Sequence, residues 1–128
     1  MAELTDYAEC KILNLMRSAA WTAFAAYVAL YTSATADDGT GTEVSGGSYA
    51  RKLAGLSEAT GAGGATSNAS DITFPTATAD WGTVTHIAIM DAASAGNMIM
   101  HSPLDASKTI ANGDTFKISA GDLDVSVQ

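Results

Sequence analysis

Apolar residues in the C-terminal half of this chain come in short runs, each closed within a few residues by a turn signal. That punctuation restricts the chain to antiparallel β structure. Residues 84–90 read as a buried strand and residues 98–101 as its hairpin partner, with Gly96-Asn97 as the turn signal between them. Residues 108–110 are expected to pair across Asn112-Gly113 with residues 115–118, because Asn-Gly favours the positive φ angles of a two-residue hairpin. Leu123, Val125 and Val127 alternate with Asp122, Asp124 and Ser126, which predicts a strand with one wet face. Ile72-Thr-Phe74 reads as a short edge strand stopped by Pro75, since proline cannot donate to a ladder. Residues 24–31 are apolar on both faces, as in a central strand. About six to eight such strands predict a mainly β fold, an antiparallel β-sandwich or small barrel.

One segment departs from period two. Leu4, Ala8, Ile12, Leu15 and Ala19 recur at helical steps and predict one N-terminal α-helix over residues 5–19. Asp6 stands where its N-cap would be, with Glu9 three positions on. Residues 23–128 then form the β part of a single domain spanning 1–128. Within it, Asp37-Asp38-Gly39 marks a polar turn and Gly46-Gly47 a bulge or sharp bend. Residues 60–70, with Gly61, Gly63 and Gly64, read as a surface loop. The expected core is Leu15, Phe24, Val28, Leu30, Phe74, Val84, Ile87, Ile89, Ile99, Phe116, Ile118, Leu123 and Val125.

Charge narrows function. Acidic residues number 14 against 6 basic ones, a net charge of −8, which repels phosphates and argues against nucleic acid as a partner. The longest apolar stretch, residues 23–31, is too short to span a membrane. No basic leader precedes it, so synthesis and folding in a reducing cytoplasm are expected. Only 16% of residues are charged, so much of the surface is Thr, Ser and Ala, as suits a subunit buried on several sides.

Chemistry-bearing patterns are weak. His86, His101, Asp91 and Asp105 could converge on a metal, but no HxH or HExxH spacing supports it. Asp122-x-Asp124 lacks the glycine and distal glutamate of a calcium loop. The glycines at 61–64 lack the lysine of a phosphate cradle. Cys10 is the single cysteine, which excludes an intrachain disulfide and a cysteine zinc cluster. No catalytic residue and no cofactor is expected, and Met90, Met98 and Met100 read as core filler.

Several stretches carry a resemblance. Thr5-Asp-Tyr-Ala-Glu9, Tyr27-Val-Ala-Leu-Tyr-Thr32, Gly41-Thr-Glu-Val-Ser-Gly-Gly-Ser-Tyr-Ala-Arg51 and the run from Ile72 through Ala-Asp-Trp81-Gly to His86 resemble a family of small tailed-bacteriophage virion proteins. Ile89-Met-Asp91 and Asn112-Gly-Asp-Thr115 continue it, so the resemblance covers nearly the whole chain. Members are often labelled tail fibre proteins, while size, small-residue composition and lack of repeats look more like a capsid decoration, or cement, protein. The resemblance implies no enzyme and no cofactor. It implies a non-catalytic virion component on the outer surface of the capsid that clamps major capsid protein subunits and fills threefold positions as a homotrimer. The alternative it implies is a tail or head fibre component that binds a host surface glycan. The expected partner surface combines the N-terminal segment, with Leu4 and Asp6, and residues 43–51, with Ser45, Tyr49 and Arg51. Lys52 and the aromatic Trp81 complete it. Arg51 and Lys52 would meet capsid carboxylates; the alternative is that Arg51 pairs with an internal Asp and Lys52 is solvated.

Overall fold

The computed structural model describes residues 3–59 and 64–127. In chain order these form β1 (Glu3–Leu4), α1 (Asp6–Leu15), β2 (Tyr27–Tyr31), β3 (Lys52–Leu53), β4 (Ala65–Ser67), β5 (Ile72–Thr73), β6 (Gly82–Met90), β7 (Met98–Ile110), β8 (Lys117–Ile118) and β9 (Asp124–Ser126). The fold is mainly β, with antiparallel sheets and one short N-terminal helix. Five strands make one sheet in the order β1-β7-β6-β2-β3, which does not close into a barrel. β4–β9 and β5–β8 are two-stranded ribbons.

The β6–β7 hairpin is the one expected at residues 84–101, but longer. Its ladder continues to Gly82 opposite Ile110. Thr85 faces the whole run 104–107, so β7 bulges away from its partner there. β2 lies between β6 and β3, which explains its two apolar faces. Val28 and Leu30 enter the main core with Phe74, Val84 and Phe116. Ala29 and Tyr31 enter a smaller cluster with Ala88, Met90 and Met98. Segment 32–42 closes over this second face: Gly39 approaches Met98, and Gly41 sits against the Tyr31 ring. Burying each large side chain of such a core contributes about 1.5–3 kcal/mol.

Four expectations change. The helix is capped by Thr5, not Asp6: its side chain accepts from the Ala8 N–H, and its own N–H donates to the Ile99 carbonyl at 3.0 Å. Thr5 thereby starts the helix and fastens it to β7 in one step. The helix also stops at Leu15 rather than residue 19. Ser18 takes a left-handed φ of 65°, and the Ala19 N–H closes on the Asn14 carbonyl, a helix-terminating turn. The apolar stripe thus runs past the sheet, and Leu15 and Phe24 are exposed rather than core.

The second pair of changes concerns β pairing. Residues 108–110 stay on β6, while β8 pairs with β5, Ile72 opposite Ile118. Asn112-Gly113 is a turn between segments that do not pair: Gly113 N–H reaches the Ala77 carbonyl at 2.7 Å. Residues 65–67, expected as loop, form β4 against β9. Gly61 and Gly63 of that loop lie outside the described residues.

Candidate functional site

The residues singled out as a partner surface divide into a buried lock and an exposed remainder. The lock begins with Gly46 and Gly47, whose φ angles of 74° and 56° turn the chain back over the core. A Cβ on Gly47 would stand 2.9 Å from Trp81 Nε1, so only glycine fits this bend without displacement. The close approach lets the Trp81 indole donate to the Gly47 carbonyl at 2.9 Å. Trp81 is buried, and its ring meets Tyr49 edge-on at 5.4 Å. Tyr49 in turn stacks on Phe74, which meets Phe116 edge-on.

Tyr49 carries the polar half of the lock. Its hydroxyl accepts from the Leu30 N–H at 3.0 Å and donates to Glu43 Oε2 at 2.7 Å. Arg51 grips the same carboxylate with two bonds, Nε to Oε2 at 2.8 Å and Nη2 to Oε1 at 2.7 Å. Its Nη1 donates to the carbonyls of Ala92 and Ala95, tying the β6–β7 loop to segment 43–51. The Arg51 side chain is 7% exposed and that of Glu43 24%. Burial would raise the Glu43 carboxyl, but the hydrogen bonds from Arg51 and Tyr49 and the guanidinium charge outweigh it and hold it below its ordinary value. Burial and the bond to Glu43 push the Tyr49 phenol far up, so it stays neutral.

Trp81, Tyr49 and Arg51 therefore face inward, committed to their own chain. The internal partner of Arg51 is Glu43 rather than an aspartate. Leu4 is half-buried on β1, opposite Met100. Asp6, Ser45 and Lys52 are exposed, but they sit at the helix start, before the glycine bend and on the β3 edge, and among the described residues no ion pair joins them.

Other groupings follow from the topology. Glu3, Asp37 and His101 bring donor atoms within 4.8 Å of one another. The His101 ring is bonded at both nitrogens, to the Thr35 hydroxyl at 2.8 Å and to Asp37 at 2.9 Å. Of the earlier metal candidates, only His101 is in this group. His86 Nδ1 meets the Thr85 hydroxyl, and Asp91 accepts from Asn97 inside the hairpin loop. Cys10 is exposed on α1.

The surface feature that periodicity alone could not place is an apolar arm. Leu13 (62% exposed), Leu15, Met16 (81%) and Phe24 face solvent along one stretch of chain. Trp21 stands between Tyr7 and Phe24 and fixes this arm, with ring centroids 6.4 Å and 5.5 Å away.

These features define a small antiparallel β domain whose polar side chains lock its own loops and whose N-terminal arm presents apolar side chains outward. A family model described as podophage GP4 fiber I protein gp80 matches residues 3–126, and the chain belongs to this family of phage virion proteins. Comparison with curated proteins finds no match.

Proposed function

We propose that this chain is a decoration protein of the phage head, bound to the outer surface of the capsid across neighbouring major capsid protein subunits. Its role is structural, with no reaction and no cofactor. The observation that carries this reading is the apolar arm: four of the six large apolar residues exposed in the described structure, Leu13, Leu15, Met16 and Phe24, lie on one stretch of chain. Large apolar side chains left exposed in this number on one segment are expected at a protein contact, and a clamp between shell subunits needs one that dries on assembly. The net charge of −8 keeps such a subunit off the genome. Among the described residues no helix is long and apolar enough to cross a membrane. A homotrimer at threefold and quasi-threefold positions fits closed symmetry on a shell lattice.

A second reading, a tail or head fibre component that binds a host surface glycan, is favoured by the fibre description of the family. Copy number separates the two. On a gel of purified virions, band intensity against the major capsid protein should correspond to copies on the order of hundreds for decoration, set by the many equivalent lattice positions. A handful of copies would overturn the decoration reading in favour of the fibre.

A further inference from the structure

A cleft of about 340 Å³ opens between the five-stranded sheet and the β4–β9 ribbon, at the β7 edge. Its floor is apolar, with Ile87, Ile89, Leu104 and Val125. Its rim carries Asp105, Asp122 and Asp124, all exposed, and no lysine or arginine lines it. Among the described residues none of these three carboxylates has an ion-pair partner. They do not converge as the ligands of a single metal ion must; the donor atoms that do lie within 4.8 Å of one another belong to Glu3, Asp37 and His101.

Two open strand edges border the cleft. Among the described residues β9 pairs only with β4, and the Val127 N–H donates to the Gly64 carbonyl at 3.0 Å. Antiparallel alternation then turns the N–H and C=O of Asp124 and Ser126 away from β4. Among the described residues β1 covers β7 at Met100 and His101, and no described strand pairs with the outer edge of β7 from Pro103 onward.

Spread negative charge, an apolar floor and open backbone edges fit one kind of occupant. We propose that this cleft receives an extended, basic segment of a partner polypeptide as an added strand. Alternate apolar side chains rest on the floor, and the intervening cations meet Asp105, Asp122 and Asp124. A second copy of this chain is poorly suited: its net charge is −8, and of its 6 basic residues Arg51 is already held by Glu43. The inference holds for a head or a fibre component, so copy number and the cleft are tested separately.

The probe is a fluorescein-labelled, end-capped peptide of alternating Lys and Val, with Glu-Val and Thr-Val peptides of equal length as comparisons, read by fluorescence anisotropy. The Lys-Val peptide should bind saturably and weaken with salt, and the other two should not bind. The triple variant D105N/D122N/D124N should weaken it by about tenfold or more, while the charge-matched variant E9Q/E58Q/D80N, at exposed positions outside the cleft, should stay within about twofold. Absence of saturable binding, equal weakening by both triple variants, or equal binding of Thr-Val overturns the proposal. So does concentration-dependent self-association that the D105N/D122N/D124N change abolishes, because the occupant would then be a second copy.

Discussion

Replacing Arg51 by Met removes the centre of the polar lock while keeping most of its aliphatic volume. Four hydrogen bonds are lost, two to Glu43 and two to the carbonyls of Ala92 and Ala95. The Glu43 carboxylate keeps only the Tyr49 hydroxyl. Stranding one partner of a fully buried ion pair costs about 3–5 kcal/mol. Glu43 is 24% exposed, so water reaches part of the carboxylate and the expected cost falls to about 2–3 kcal/mol. A domain of this kind has about 5–15 kcal/mol in all, so the variant still folds. With a slope of about 1–3 kcal/mol per molar urea, the unfolding midpoint should drop by roughly 0.7–3 M. The double variant with Glu43→Gln should cost less than the sum of the single changes, with a coupling of about 1 kcal/mol or more. A loss below about 0.5 kcal/mol for Arg51→Met would refute the lock and return Arg51 to the outer surface.

Three further outcomes follow from the same geometry. Phe74→Ala, in the ring stack between Tyr49 and Phe116, should cost about 3–5 kcal/mol by thermal or urea unfolding, while Phe24→Ala, on the exposed arm, should cost less than about 1 kcal/mol; equal losses would contradict the revised core. Gly47→Ala should cost about 1–3 kcal/mol and alter the near-ultraviolet dichroism of Trp81, since its Cβ would meet Nε1 at 2.9 Å; an unchanged spectrum and midpoint would contradict it. Glu43 is held below its ordinary 4.5, so its contribution is complete above the ordinary carboxylate range and is lost as pH falls through the folded-state value; Glu43→Gln should flatten the acid limb of a stability–pH curve, and an unflattened limb would contradict the assignment.

The parts legible in the sequence are those set by local pattern. The β6–β7 hairpin and the two-faced strand β2 follow from short apolar runs and a turn signal. The helix end is not legible, because Leu15 and Ala19 continue the stripe past the point where Ser18 turns left-handed. β7 hides its length in Ser102-Pro-Leu-Asp-Ala-Ser-Lys108, a run without alternation that bulges opposite Thr85, and Asn112-Gly113 then looks like a hairpin when it joins segments that do not pair. Long-range closure limits the site in the same way. That Arg51 has an internal partner is a readable alternative, but which acid it meets depends on the bend at Gly46-Gly47. His101 meets Asp37 and Glu3 because segment 32–42 folds over the second face of the sheet and β1 pairs beside it, neither of which spacing encodes.

The exposed arm of residues 13–24 is the surface proposed to meet the shell. A symmetry-averaged cryo-electron reconstruction of the virion head tests this most directly. It should resolve this fold at repeated positions on the outer capsid surface, with Leu13, Leu15, Met16 and Phe24 turned toward the major capsid protein. Density for the fold confined to the tail or its attachment, or a lattice-bound copy with those four side chains facing solvent, would contradict it.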